Sequence, residues 1–231
     1  MTATAVSASS SRRPAPVRVA IVEDHQLLSA SLSAALAAEG YEPVVAPLDE
    51  GAPPASFFSE VAPAVTLLDL DLGGAGSGKD VISSATEAGS RVLVVSATTD
   101  EADIGECLEL GASGFVSKSA PYDELLDAVR TLLGGRELVT TAERGRLLRC
   151  SRERRAAVDT ALRPFHGLSR RESEILSQLM DGHSVERIAS DSVVSEATVR
   201  SQVRSILLKL GVRSQLEAVA MAARAGWHLT D

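Results

Sequence analysis

The sequence predicts two folded parts: an α/β part built on a doubly wound parallel sheet of five strands, and an all-α part of four helices. Three observations predict this. Short apolar runs alternate with stretches of helical periodicity between residues 17 and 133. Only helical periodicity remains after residue 167. A chain of 231 residues with 45% hydrophobic side chains is large enough for two medium-sized cores.

The first part alternates strand and helix along the chain. Its predicted strands cover residues 17–22, 41–46, 65–68, 92–95 and 114–116, and its predicted helices cover 26–39, 55–61, 80–88, 101–110 and 122–133. Pro43 lies in the second strand and has no backbone N–H to donate, so we expect this strand at the edge of the sheet. An edge position for the second strand fits the order 2-1-3-4-5.

Acidic, hydroxyl and basic side chains stand where four of these strands end. Glu23 and Asp24 follow the first strand, Asp69 the third and Ser96 the fourth, and Lys118 comes just after the fifth. Because ligands of open α/β sheets bind at the carboxyl ends of the strands, we expect these five side chains to converge.

The acidic members of this set suit a magnesium ion. Asp24 and Asp69, helped by Glu23 and a backbone carbonyl near Asp71, can hold one Mg²⁺ through oxygen ligands. The metal would offset the repulsion between Asp69 and an incoming phosphate. Mg²⁺ is therefore the expected cofactor.

Phosphoryl transfer to a carboxylate is the chemistry that this set predicts. Asp69 attacks phosphorus to give an aspartyl phosphate, and Lys118 and the Ser96 hydroxyl take the phosphoryl oxygens. The motifs I-V-E-D-H, L-L-D-L-D, V-V-S-A and G-A-S-G-F-V-S-K resemble those of bacterial response-regulator receiver domains over about residues 17–133. The resemblance implies that Asp69 is the phosphoacceptor and that Glu23 and Asp24, the acidic pair, bind the metal. It also implies that Ser96 and Phe115 are the switch residues and that Lys118 is the family's lysine.

The loop after the third strand keeps two alternatives open. Receivers commonly have Met-Pro where this chain has Leu72-Gly73, so the domain could instead serve dimerisation or ligand sensing without phosphate. The run G-G-A-G-S-G-K-D, residues 73–80, nearly matches a P-loop, which predicts nucleotide binding through Lys79. Asp80 stands where a P-loop needs a hydroxyl, and this disfavours the NTPase interpretation.

Composition indicates a protein of the reducing cytosol. Residues 1–16 are rich in Ser, Ala and Pro without the apolar core of a signal peptide, so we expect a disordered leader. No apolar run approaches the length of a membrane span. Cys107 and Cys150 lie far apart without metal-ligand spacing, and we expect them to be inert packing residues.

The net charge of −8 is unevenly divided. Residues 1–140 carry 8 basic and 20 acidic side chains, whereas residues 141–231 carry 15 and 11. An acidic first part is a poor partner for nucleic acid, while a mildly basic second part suits it.

Between the two parts lies a predicted linker, residues 136–166, that is partly helical and rich in arginine. These arginines fit either a solvated helix face, which we favour, or a nucleic-acid patch. They are Arg144, Arg146, Arg149, Arg152, Arg154 and Arg155. The linker separates a first domain of residues 17–135 from a second of residues 167–231.

The last part has the layout of a helix-turn-helix. Ser169 and Glu172 form a capping box at the start of its first helix. A short helix over 185–190, a turn and a longer helix that begins after Ser195 follow, and a fourth helix covers 215–224.

The longer helix predicts DNA contacts. Arg200 and Arg204 are four residues apart, hence on one face, and arginine suits contacts to guanine and to phosphate. The runs L-S-R-R-E-S-E-I-L, I-A-S-D-S-V-V-S-E-A-T-V-R and I-L-L-K-L-G-V resemble the LuxR-type DNA-binding domain over about residues 168–223. By this resemblance Arg200, Ser201 and Arg204 face bases or phosphates, Thr198 and Lys209 approach the DNA backbone, and the fourth helix pairs two protomers.

Together the two parts follow the plan of the NarL/FixJ class of response regulators. This resemblance implies a cytoplasmic transcription regulator switched by phosphorylation of Asp69, with no enzyme activity beyond its own phosphorylation and dephosphorylation. Its implied partners are double-stranded DNA, a sensor histidine kinase and a second copy of the chain. Binding to a membrane is not expected.

Overall fold

The computed structural model describes residues 16–48 and 51–229 and confirms the predicted fold class. The chain divides between Ser151 and Arg152 into two compact units. The predicted leader, residues 1–16, lies outside the described residues except for Pro16. Within the described ranges, no helix combines the length and the apolar character needed to cross a membrane.

The first unit alternates strands and helices as predicted, and each end lies within one residue of its predicted position. Its strands are β1 (Arg18–Val22), β2 (Glu42–Val45), β3 (Val65–Leu68), β4 (Arg91–Ser96) and β5 (Gly114–Ser117). They are all parallel, in the order β2-β1-β3-β4-β5. The helices are α1 (Gln26–Ala38), α2 (Ala55–Val61), α3 (Lys79–Glu87), α4 (Glu101–Leu110) and α5 (Tyr122–Leu133).

The sheet is buried on both faces, which explains its nearly continuous apolar strands. In β3, Val65 and Leu67 face the cluster formed with α1 and α5, whereas Leu68 faces the cluster formed with α2, α3 and α4. The one polar residue of this strand, Thr66, is fully buried and hydrogen-bonded to the Ser90 hydroxyl at 2.7 Å. Because all five strands run the same way, their carboxyl ends meet at one edge.

Pro43 lies in the edge strand β2, as the sequence predicts. The Glu42 amide donates to the Val17 carbonyl at 2.9 Å, and the Ala46 amide donates to the Ile21 carbonyl at 2.8 Å. Alternate residues of a strand point in opposite directions, so the Pro43 nitrogen faces the open side of the sheet. The ladder with β1 therefore keeps all its hydrogen bonds.

A sixth helix, α6 (Thr141–Leu162), occupies most of the predicted linker, and its first half packs within the first unit. Leu147 is only 1% exposed and belongs to the core cluster on the α4 side. A Cβ atom on Gly105 of α4 would lie 2.1 Å from the Leu147 carbonyl oxygen, so glycine permits this close approach. Arg146 forms an ion pair with Glu101. Part of the predicted linker thus contributes to the core of the first unit.

The second unit contains the four helices that the sequence predicts. They are α7 (Arg170–Met180), α8 (Val185–Asp191), α9 (Glu196–Leu210) and α10 (Gln215–Ala225). Serine side chains cap all four N-termini, and the predicted capping box between Ser169 and Glu172 is present. The ring of Trp227 stacks on Phe165 with centroids 5.5 Å apart, next to the core of this unit.

The turn between α8 and α9 contains a strained residue. Val193 has a φ of 55°, in the left-handed region, and is 91% exposed. This conformation costs an L residue roughly 1–2 kcal/mol, and a β-branched side chain fits it poorly. With so little of its surface buried, packing of Val193 offsets little of that cost.

Val193→Gly should therefore raise the free energy of unfolding of the second unit by about 0.5–1 kcal/mol, because relief of strain outweighs the added entropy of the unfolded chain. Urea unfolding followed by the fluorescence of Trp227, the single tryptophan of the chain, measures this unit. Val194→Gly is the matched control and should be destabilising, since Val194 does not have a positive φ. Equal destabilisation by both substitutions would show that Val193 is unstrained.

Candidate functional site

The carboxyl edge of the sheet brings Glu23, Asp69 and Lys118 into direct contact. The Lys118 ammonium nitrogen lies 2.7 Å from Oδ2 of Asp69 and 2.8 Å from Oε2 of Glu23. Glu23 is 6% exposed and Asp69 is 4% exposed, so both carboxylates are largely removed from water. Burial alone would lower the pKa of Lys118, but hydrogen bonds to Asp69 and Glu23 outweigh it and raise that pKa.

His25 joins this cluster, although sequence reasoning assigned it no role beyond its place in the I-V-E-D-H motif. Its Nδ1 lies 2.8 Å from Oδ1 of Asp24 and 3.0 Å from Oε1 of Glu23. The hydrogen bond to Glu23 and the charge of Asp24 raise the pKa of His25. The imidazole is mostly exposed, so it covers the acidic pair from the solvent side.

The donor set fits a divalent cation. Among the described residues, ligand atoms of Glu23, Asp24, His25 and Asp69 all lie within 4.8 Å of one another, which suits one metal ion held mainly by oxygen. Asp71 is not part of this side-chain group, and its Oδ1 accepts a hydrogen bond from the Gly73 amide at 3.1 Å. A carbonyl ligand near Asp71 stays a prediction.

A cavity of about 660 Å³ opens beside Asp69. Its walls include Lys79, Ser96, Thr98, Asp103 and Lys118. The Ser96 hydroxyl accepts a hydrogen bond from the Thr98 amide at 3.2 Å, and Ser96 is 9% exposed. The structure thus places the predicted acceptor, hydroxyl and lysine around one space large enough for a phosphoryl group.

Phe115 occupies a different position. Its partly buried ring packs against the core cluster that includes residues of α3 and α4. It is not among the residues lining the cavity beside Asp69. Any role in switching therefore passes through its packing and not through contact with the reacting atoms.

The glycine-rich loop does not have the form of a P-loop. A P-loop presents several backbone N–H groups to phosphate. In this loop the backbone N–H groups already donate to acceptors of the loop itself, and they belong to Leu72, Gly73, Ala75, Gly76 and Gly78. Lys79 pairs with Asp103 and Glu106. These contacts argue against the nucleotide-binding alternative.

In the second unit, the residues predicted to contact DNA lie on the exposed face of α9. Thr198, Arg200, Ser201 and Arg204 are exposed, whereas Val199, Val203 and Ile206 on the opposite face are buried. The Arg200 guanidinium pairs with Glu196 at 2.9 Å and with Glu186 at 3.2 Å. Both pairs are exposed and therefore weak, so phosphate or a base can replace them.

Lys209 lies near the C-terminus of α9, where its ammonium nitrogen is 2.6 Å from Oε2 of Glu172. The Ser205 hydroxyl also donates to Glu172, at 2.6 Å. Burial would raise the pKa of Glu172, but the hydrogen bonds from Lys209, Ser205 and Ser169 outweigh it and lower that pKa to about 2. The capping box predicted the contact between Glu172 and Ser169 but not the contacts of Glu172 with Lys209 and Ser205.

Glu172 should make the second unit acid-sensitive. Its folded-state pKa of about 2 lies below the ordinary 4.5, so its contribution is complete above pH 4.5 and is lost as the pH falls toward 2. Glu172→Gln should lower the free energy of unfolding at neutral pH by roughly 2 kcal/mol and flatten this part of the pH profile.

The fluorescence of Trp227 during urea unfolding at several pH values measures this effect. Glu174→Gln on the same helix is the control, since Glu174 makes partly exposed ion pairs with Arg170 and Arg171 and should matter little. A wild-type profile that stays level from pH 6 to pH 3 would contradict the assignment to Glu172.

Comparison with known families agrees with both units. Residues 19–130 match the model of the response regulator receiver domain, and residues 166–222 match that of the luxR family of bacterial regulatory proteins. The chain belongs to the response regulators of two-component systems, in the group that binds DNA through a LuxR-type helix-turn-helix.

Individual relatives cover nearly the whole chain. The probable transcriptional regulatory protein NarL of Mycobacterium tuberculosis (strain H37Rv) is 33% identical over 217 residues, which is 93% of this chain and 97% of NarL. The nitrate/nitrite response regulator NarP of Escherichia coli K12 is 30% identical and covers 89% of this chain and 94% of NarP. The crystal structure of the response regulator ChrA of a heme-sensing two-component system is 28% identical, covers 90% of this chain and 97% of ChrA, and gives a TM-score of 0.43.

Proposed function

We propose that phosphorylation of Asp69 controls how this regulator binds DNA, with a sensor histidine kinase as the phosphoryl donor and Mg²⁺ as the cofactor. The observation that carries the proposal is the ion-paired cluster at the sheet edge. The Lys118 ammonium group contacts both Glu23 and Asp69, and Asp24 belongs to the same group of possible metal ligands. Such a set provides a nucleophilic carboxylate, a cation for phosphoryl oxygens and oxygen ligands for a metal.

The chain's own residues account for most of the chemistry. A carboxylate oxygen of Asp69 forms a bond to phosphorus while the bond between phosphorus and the donor nitrogen breaks, and its electron pair leaves with that nitrogen. Lys118 is close enough to bind a phosphoryl oxygen, and the Ser96 hydroxyl shares the same cavity. Bound Mg²⁺ would supply positive charge against the repulsion between the carboxylates and the phosphoryl group.

The second unit would act on DNA through α9, with α10 as the pairing surface. The arginines on the exposed face of α9 suit the major groove, and Thr198 at its start suits the DNA backbone. Lys209 near its end is 40% exposed and would have to leave Glu172 to reach a phosphate. Leu216 in α10 is 78% exposed and lines one groove together with Val212, Ala220 and Met221. A group of apolar side chains at the surface of α10 supports a homodimer formed through this helix.

Asp69→Asn should abolish acid-labile phosphate uptake from a small phosphodonor such as acetyl phosphate, because an amide cannot act as the nucleophile. Labelling by the wild-type protein should require Mg²⁺ and stop on chelation. Asp71→Asn is the matched control, since it leaves the backbone carbonyl in place and should preserve labelling.

Undiminished labelling of the Asp69→Asn protein would mean that the acceptor lies elsewhere. If wild-type protein takes up phosphate but Asp69→Ala leaves operator binding and dimerisation unchanged, the phosphorylation-independent alternative is favoured.

Arg200→Ala should weaken specific DNA binding by roughly 1–3 kcal/mol for each base that the arginine side chain contacts. Footprinting and titration with operator DNA at fixed salt measure the change. Arg170→Ala is the control, because Arg170 lies on α7 and makes an exposed pair with Glu174. A footprint and affinity that match the wild type would exclude Arg200 from the DNA contacts.

A further inference from the structure

Lys79 has no part in the proposed function so far, although it lies in the same cavity as the phosphoacceptor. It is the first residue of α3 and lines the cavity beside Asp69 together with Ser96 and Lys118. Its side chain is 25% exposed. A second lysine thus lines the space where a phosphoryl group would form.

The backbone before Lys79 is fixed against the phosphoacceptor. A Cβ atom on Gly78 would lie 1.9 Å from the Asp69 carbonyl oxygen, so only glycine fits there. The Gly78 amide donates to the Leu70 carbonyl at 2.9 Å. This packing holds the start of α3 against the end of β3, so the position of Lys79 relative to Asp69 is set by main-chain contacts.

The ammonium group of Lys79 is at present bound to α4. Its nitrogen lies 2.8 Å from Oδ1 of Asp103 and 2.6 Å from Oε2 of Glu106, which are one turn apart on that helix. Asp103 also lines the cavity, so the contact between Lys79 and α4 is made at the cavity wall. The same helix carries Gly105, against which the Leu147 carbonyl of α6 packs.

We propose that Lys79 is a phosphoryl-sensing residue: when Asp69 carries a phosphoryl group, the Lys79 ammonium moves from Asp103 and Glu106 to a phosphoryl oxygen and thereby loosens α4. The proposal rests on the phosphorylation of Asp69 proposed above. It adds a cation from α3 to the phosphoryl site and a direct electrostatic link from that site to α4.

Charge and exposure both favour this exchange of partners. The new phosphoryl oxygens add negative charge to a cavity whose walls already include Lys79. Asp103 and Glu106 are 31% and 36% exposed, so water partly screens their attraction for Lys79. A lysine has a flexible stem and three donors, so it can change partners without moving the backbone.

Hydrogen exchange of the α4 amides in the full-length protein tests the proposal, with beryllofluoride and Mg²⁺ as the phosphoryl mimic. In the wild type, the mimic should increase exchange in α4 several-fold. Lys79→Met should show the increased exchange without the mimic, little further change with it, and several-fold weaker binding of beryllofluoride. Lys79→Arg, which keeps the charge, should restore both the response and the affinity.

A second variant separates the two contacts of Lys79. Glu106→Gln weakens the link to α4 without altering the cavity wall, so it should raise basal exchange in α4 while leaving beryllofluoride affinity at the wild-type level. Lys79→Met with wild-type affinity, or with α4 exchange raised by the same factor in both states, would overturn the proposal and leave a structural ion pair. Failure of the proposed function itself is distinct, because the wild type would then take up no acid-labile phosphate.

Discussion

Repulsion between carboxylates at one edge of the sheet is the constraint on which the first unit depends. The parallel order of β1 and β3 directs Glu23, Asp24 and Asp69 to the same place. Like charges this close oppose folding unless a cation offsets them. Lys118, at the end of β5, supplies that cation from the far side of β4. Removing one partner of a buried ion pair typically costs ~3–5 kcal/mol, so Lys118 should stabilise the fold whether or not it also takes part in the proposed chemistry.

Two glycines then determine how the surrounding helices sit. Gly78 lets the start of α3 touch the Asp69 main chain, and Gly105 lets α4 approach the main chain of α6. Both contacts are main chain against main chain, so their distances have little freedom. Between them lies Lys79, whose side chain connects the cavity wall to α4. Backbone contacts thus fix both segments that the Lys79 side chain connects.

Local patterns predict this fold well because they reflect burial directly. Strands buried on both faces, serine caps and a proline at an edge each leave a short-range signal, and the edge position predicted from Pro43 fits the observed strand order. Pairing between side chains that are distant in the sequence leaves no such signal. The sequence therefore did not predict the contacts of Lys79 with α4 or the ion pair between Lys209 and Glu172. The packing of α6 left a weak signal in the sequence. Gly105 lies in the middle of α4, and a glycine within a helix indicates that another segment of backbone packs closely against it.

The direction of the Pro43 nitrogen has a consequence for the behaviour of many copies at high concentration. An exposed edge strand normally offers a row of donors to which a neighbouring molecule can add a strand and begin a growing aggregate. In β2 one outward donor is missing, and the strand is only four residues long. Extension of the sheet by a strand from a neighbouring molecule is thereby disfavoured at the β2 edge.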